Sequence, residues 1–153
     1  MDKKVKILKE VAEELFSLMS ADVKVGVQYN ETDAVFIVDI EAGDTTGLLI
    51  GKRGDTLLSI QNVLALLFKQ KTGEWEKIVV NVGDYRQKEE EYLKNLATSA
   101  AQRAIETESS QNLYNLKAWQ RRVIHLFLAD NKEVTTTSEG EGEERYLIIS
   151  PKK

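Results

Sequence analysis

A short turn with glycine at both ends constrains the fold of this chain more than any other stretch. It reads Ile50-Gly51-Lys52-Arg53-Gly54, and apolar residues recur at helical spacing from Leu57 to Phe68 after it. Because glycine has no Cβ, a bulky group can approach main-chain N–H groups at such a turn. We therefore expect Gly51 and Gly54 to be open to solvent, with Lys52 and Arg53 supplying positive charge.

The residues on both sides of the turn predict a small α+β unit that covers residues 1–83. Amphipathic periodicity predicts helices, and alternating or largely apolar runs predict strands. The predicted elements are a helix at 3–19, strands at 23–29 and 35–40, a short helix at 45–50, the helix after the turn, and a strand at 78–82. We expect the strand at 35–40 to lie at an edge of the sheet, as one wall of a groove.

The turn, in this order of elements, resembles the GxxG loop of a type II KH domain (α-β-β-α-α-β). KH domains clamp about four nucleotides of single-stranded nucleic acid. The resemblance implies that the nucleic-acid-binding residues of this unit are Ile50, Gly51, Lys52, Arg53 and Gly54. A plain surface turn is the alternative.

Residues 84–153 predict a second α+β unit. A helix of about 20 residues comes first, followed by a strand candidate at 113–116, a helix at 118–129, and strands at 133–137 and 146–150. His125 is the only histidine, and Arg121 precedes it by four residues. Arg121, Arg122 and His125 fall on the polar face of their helix, where two guanidinium groups and an imidazole can hold phosphate.

This Arg-x-x-x-His helix resembles the R-3-H domain, which packs helices on a small β-sheet and binds single-stranded nucleic acid. The stretch from Val134 to Gly142 and the later Arg145 extend the resemblance to the bacterial SpoIIIJ-associated family (Jag, or KhpB), which joins a KH domain to an R-3-H domain. The resemblance implies that Arg121, Arg122, His125 and Arg145 contact the strand. The separate N-terminal Jag domain of many members has no counterpart in this sequence, so we expect a member without that domain.

What the family implies about function is non-enzymatic binding of single-stranded RNA or DNA. It also implies post-transcriptional regulation in a bacterial cytoplasm, linked to the cell envelope, division or sporulation, often beside a small KH-domain protein. The sequence leaves open the preferred nucleic acid, its base sequence and the oligomeric state. A protein-interaction adaptor and, less favoured, a hydrolase that uses His125 are the alternatives.

Composition excludes several other classes of protein. The chain has no cysteine, which excludes disulfides and thiolate metal sites, and we expect neither a metal nor a cofactor. No apolar run is long enough for membrane insertion, so we expect a cytoplasmic protein. The formal net charge is −4, which argues against binding nucleic acid through overall charge and favours locally cationic sites. We expect Trp75 and Trp119 to lie in the core.

Overall fold

The structure is a computed structural model that describes residues 1–153. Its helices and strands are α1 (Asp2–Leu18), β1 (Lys24–Asn30), β2 (Val35–Glu41), α2 (Thr46–Ile50), α3 (Asp55–Thr72), β3 (Ile78–Val82), α4 (Tyr85–Thr107), β4 (Gln111–Leu113), α5 (Ala118–Leu128), β5 (Val134–Glu139) and β6 (Tyr146–Pro151). The α+β class is therefore confirmed. The chain divides into two compact units, Met1–Arg86 and Gln87–Lys153. The domain boundary predicted between residues 83 and 84 stays a prediction.

The first unit is a three-stranded sheet with helices α1 and α3 packed against it. The strand order is β1-β2-β3, with β1 antiparallel and β3 parallel to β2. A parallel pair needs a crossover connection, and here α2 and α3 provide it. Apolar side chains of α1, α3 and all three strands form one buried core, so the order of elements predicted for this unit is confirmed.

The prediction that residues 35–40 form a sheet edge is wrong. The strand β2 is central because the hairpin places β1 on one side of it and the crossover places β3 on the other. The edges belong to β1 and β3. At the β3 edge, the Val80 N–H donates to Oε1 of Gln61 from α3, 3.1 Å away. A side chain thus pairs a backbone donor that an edge strand would otherwise leave unpaired.

Trp75 lies outside the core, contrary to the prediction. It sits in the connection between α3 and β3 and is 60% exposed. The Lys69 ammonium lies over the Trp75 ring, 4.5 Å from its centroid. Lys4 of α1 forms salt bridges with Glu74 and Glu76, the residues before and after Trp75. The sequence pattern failed here because the residue belongs to neither periodic element. Trp119, in contrast, is half-buried against the core of the second unit.

The second unit packs α4 and α5 on one face of an antiparallel sheet of order β4-β6-β5. Alternation along β6 buries Leu147 and Ile149 beneath the helices. The strand predicted at 113–116 lies earlier, at Gln111–Leu113, because the chain turns at Asn115, which has a positive φ of 57°. None of the helices in either unit is long and apolar enough to cross a lipid bilayer.

Candidate nucleic-acid interface

The glycine turn of the first unit has the backbone that its sequence predicts. Helix α2 ends at Ile50, and Gly51 then takes φ 70° and ψ −171°, a region open almost only to glycine. A Cβ at Gly51 would overlap the side chain of Thr56 in the first turn of α3. Glycine is therefore required at this position by the packing of the turn itself.

Gly54 is not open to solvent, and that part of the prediction is wrong. It is buried, and a Cβ added there would lie 3.0 Å from the hydroxyl oxygen of Tyr85. Tyr85 is the first residue of α4 and packs against the core of the first unit. Gly51 is half-buried. The two glycines thus shape the turn, and the surface that remains accessible is made by the residues between them.

Lys52 and Arg53 form that accessible surface. Both are exposed, and neither takes part in a salt bridge. Arg53 has a left-handed backbone, with φ 53° and ψ 30°. The N–H groups of both residues make no backbone hydrogen bond, as is usual at the start of a helical turn. One tight turn therefore exposes two cationic side chains, and the backbone N–H groups of the same two residues are not used in backbone pairing, while Ile50 packs partly into the core beneath.

In the second unit, one surface depression brings together all four residues predicted for the Arg-His site. It has a volume of about 370 Å³, and its lining includes Arg121, Arg122, His125 and Arg145. The two arginines and the histidine come from α5, and Arg145 comes from the residue just before β6. No carboxylate lines the depression. Three fixed positive charges and one imidazole in an open hollow favour an anion with several oxygen acceptors.

The arginines of the depression differ in how firmly they are held. Nη1 of Arg121 donates to the Leu116 carbonyl at 2.5 Å and to the Arg145 carbonyl at 3.3 Å. Arg121 therefore ties the segment before α5 to the start of β6, with its other N–H groups left to meet a ligand. Arg122 is exposed and carries no such bond. Arg121 is thus a positioning residue as well as a candidate contact, and Arg122 is available for contact alone.

His125 is exposed, and its ring is fixed by a threonine on the neighbouring strand. Its Nδ1 shares a hydrogen bond of 2.5 Å with Oγ1 of Thr136 in β5. This bond leaves Nε2 toward the open side of the ring. The predicted outward orientation of His125 is therefore confirmed.

Sequence reasoning missed the part of the site that β5 supplies. Thr136, Thr137 and Ser138 line the depression beside the α5 residues. Thr136 and Ser138 lie on the helix-facing side of β5, and their hydroxyl groups add neutral hydrogen-bond partners to this cationic depression. The signal was present, because these residues lie in the Thr-rich segment that follows the Arg-His helix. Strand alternation alone could not show which of them faces α5.

Comparison with known proteins matches each of the two units to a domain family. The family model described as "KhpA/KhpB, KH domain" matches residues 5–82, which is just over half of the chain. The chain belongs to the KhpA/KhpB family of KH-domain proteins. An R-3-H domain model matches residues 91–151. The type II KH and R-3-H assignments made from the two motifs are therefore confirmed.

The relatives found in this family share the name "RNA-binding protein KhpB". The protein from Clostridium symbiosum is 35% identical over 144 residues, which cover 94% of this chain and 64% of that relative. The Bacillus subtilis protein is 35% identical over 113 residues, covering 72% of this chain and 54% of the relative. The Lactiplantibacillus plantarum protein is 36% identical over 112 residues, which are 35% of its length. The chain thus spans less than two thirds of the length of these relatives.

Proposed function

We propose that this chain is a non-catalytic protein that binds single-stranded RNA through both of its units. The observation that carries the proposal is the depression of the second unit, which gathers Arg121, Arg122, His125 and Arg145 without a carboxylate. Such a hollow suits the phosphate backbone, which supplies most of the affinity in nucleic-acid binding. RNA is proposed in preference to DNA because the KhpB relatives are named RNA-binding proteins.

The loop of the KH unit supports the same function. Lys52 and Arg53 provide two cations and two unpaired backbone N–H donors in a turn whose shape is set by packing at Gly51 and Gly54. A phosphate that meets these donors gains charge-assisted hydrogen bonds with little reorganisation of the protein. In this proposal, Gly51 and Gly54 act by setting the shape of the loop, and Ile50 anchors it to the core.

Because two sites lie on one chain, each of them can bind RNA weakly and the chain can still bind a strand well. Once one site has bound a strand, the second binds at an effective concentration that the connecting RNA sets. Weak contacts at the KH loop and at the Arg-His depression can therefore combine into useful affinity. This arrangement is consistent with an acidic protein, because only the local charge at each site has to favour phosphate.

Catalysis by His125 is the less supported alternative. A general-base histidine in a hydrolase is usually oriented by a carboxylate. Here the ring nitrogen Nδ1 bonds a threonine hydroxyl, and the lining of the depression offers no carboxylate and no nucleophile beyond hydroxyl groups. No group of three His, Asp or Glu side chains is placed to hold a metal ion. The geometry therefore favours binding of the strand over cleavage.

A second KH-domain protein is proposed as a partner. The family model covers both KhpA and KhpB, and the KH unit exposes apolar side chains that a protein partner could cover. Leu48 of α2 is 76% exposed, and Leu58, Val63 and Leu66 of α3 are exposed as well. Action as an adaptor through this surface is the second candidate function. The role in the cell envelope, division or sporulation stays a prediction.

Titration of the full chain with a labelled 12-nucleotide single-stranded RNA over a salt series separates these functions. RNA binding through phosphate contacts predicts that the logarithm of the affinity falls linearly with the logarithm of salt concentration, with the strand intact at the end. An adaptor would show no binding, and a hydrolase would shorten the strand. Either result would overturn the proposal.

A further inference from the structure

The sheet of the second unit has one face that the helices of its own unit do not cover. Leu147 and Ile149 of β6 point into the core, so the residues that alternate with them lie on the opposite face. The strand register places Tyr146 opposite Glu139, and Ile148 opposite Thr137 and Asn112. This surface, which we call the outer face, is built from these five residues together with Tyr114.

Two tyrosines make contact on the outer face. The rings of Tyr114 and Tyr146 have centroids 4.9 Å apart and planes inclined at 34°. Tyr114 follows β4 directly and is 58% exposed, so one side of the pair is open to solvent. The adjoining Ile148 side chain is half-buried. Two rings in contact, one of them mostly exposed, present more aromatic surface than an isolated side chain.

The positions of both rings are fixed by polar contacts at their tips. Nδ2 of Asn112 donates to the Tyr114 hydroxyl at 3.1 Å, and the Tyr146 hydroxyl donates to Oε2 of Glu139 at 3.3 Å. Loss of hydration and the nearby Glu139 carboxylate raise the pKa of the Tyr146 phenol, so this ring stays neutral. A planar ligand therefore meets rings that are already ordered, which lowers the entropy lost on binding.

The tyrosine pair is connected to the cationic depression through the backbone. Arg145 lines the depression, and Tyr146 is the next residue, at the start of β6. The guanidinium of Arg121 bonds the carbonyl of Arg145 and that of Leu116, two residues after Tyr114. One arginine of the depression thus holds both chain segments that carry the rings. Arg145 and Tyr146 are consecutive residues, so a strand that binds a phosphate at Arg145 would pass the start of β6, beside which the rings lie.

We propose that the tyrosine pair of the outer face is a stacking site for an unpaired nucleobase of the strand whose phosphates occupy the Arg-His depression. The inference rests on the proposed RNA-binding function and adds a base-contacting surface to its phosphate-contacting one. Aromatic side chains are the usual partners of splayed-out bases in single strands, since every base has a π-face. The site accordingly tolerates many base sequences and favours purines, which have the larger face.

The charge beside the pair supports a base as its occupant. Glu139 lies against Tyr146, and the connection from β5 to β6 continues with Glu141, Glu143 and Glu144. These carboxylates repel phosphate, so the backbone of a strand is directed to the depression while an uncharged base can lie over the rings. In this arrangement the depression binds the phosphate of a nucleotide and the outer face binds its base.

The test uses the full chain and two 12-nucleotide probes of equal charge, an adenosine strand and an abasic ribose-phosphate strand. Tyr114→Ala is expected to weaken binding of the adenosine strand by about 5- to 150-fold, the range for losing one stacked base. The same variant should leave the affinity for the abasic strand and the salt slope unchanged. Tyr114→Phe and Tyr114→Trp should keep the parent's affinity for adenosine, because their rings still stack.

Matched controls separate stacking from other effects. Tyr92→Ala removes a tyrosine of equal exposure, 59%, from helix α4 of the same unit, and it should not change binding. Thermal unfolding of each variant shows whether the unit remains folded. If Tyr114→Ala unfolds the unit, Tyr114→Leu, which keeps an apolar side chain and removes the aromatic ring, replaces it.

The outcomes distinguish this inference from the function it rests on. Equal loss on both probes, or no loss on the adenosine strand, would overturn the stacking site. In either case, a clear salt dependence and a loss of affinity on Arg122→Ala would leave the proposed function intact. If neither probe binds the parent protein, the proposed function itself has failed, and the stacking site fails with it.

Discussion

Neutralising the two cations of the KH loop tests the phosphate contact at that loop. Lys52→Gln with Arg53→Asn removes two positive charges from exposed side chains that make no salt bridge. Asparagine is chosen at position 53 because the backbone there is left-handed, with φ 53°, a conformation that asparagine tolerates well. The variant should therefore keep the thermal midpoint of the parent within the usual range for surface changes.

The size of the effect follows from counterion release. Each phosphate contact on a single strand adds about 0.7 to the magnitude of the negative slope of log affinity against log salt. Losing two contacts therefore reduces that magnitude by about 1.4. Relative to 1 M salt, a slope of about 1.4 changes log affinity by about 1.4 at about 0.1 M salt, so losing the two contacts weakens binding about 25-fold. That loss corresponds to about 1.9 kcal/mol. Replacing both residues with aspartate adds repulsion, and we expect it to abolish binding.

Fluorescence anisotropy with a labelled 12-nucleotide RNA at several salt concentrations measures both quantities. The control is Lys3→Gln with Lys6→Gln, which removes the same charge from exposed positions on α1. The control should change affinity by less than about threefold, because screening limits distant charges. If the loop variant binds within twofold of the parent, or no worse than the control, the loop does not contact phosphate.

Three further predictions concern shape, two-site binding and the sheet edge. Gly51→Ala should destabilise the KH unit by at least about 2 kcal/mol, because its backbone angles suit only glycine and a Cβ would overlap the Thr56 side chain. The control Gly47→Ala adds a Cβ in open space on α2 and should leave the unit's stability unchanged. Equal thermal midpoints for the two variants would contradict this account of the turn. Arg121→Ala with His125→Ala should weaken binding of a 12-nucleotide strand more than that of a 4-nucleotide strand, the span of one KH groove, and equal losses would refute binding at two sites. Gln61→Ala should cost about 1–3 kcal/mol in urea unfolding, since it leaves a buried N–H of β3 without its acceptor; an unchanged midpoint would show that another group or water replaces it.

Local patterns predicted much of this structure because they report on local physics. The apolar spacing of α3 and the alternation of β3 correctly placed the helix and the strand around the core. The polar face of α5 correctly predicted that His125 points outward. Arg145 lies 20 residues after His125 in the sequence, yet it lines the same depression. That placement came from the resemblance to the SpoIIIJ-associated family and not from spacing.

Several of the errors involve contacts between residues far apart in the chain. Tyr85 covers Gly54 from the start of another helix, and periodicity within either element carries no trace of that contact. The central position of β2 depends on how three strands pair. The internal bonds of Arg121 depend on two carbonyl groups that only the fold brings together. An arginine in a binding motif was therefore predicted as a contact alone, although it also holds the site in shape.

Mapping the RNA-contacting residues by amide and side-chain NMR shifts, in the full chain with a 12-nucleotide single strand, tests the central claim most directly. Binding at two cationic sites predicts the largest shifts at the backbone amides of Lys52 and Arg53 and at the side chains of Arg122 and His125. Shifts confined to one unit, or centred on the exposed apolar residues of α3 instead, would contradict it.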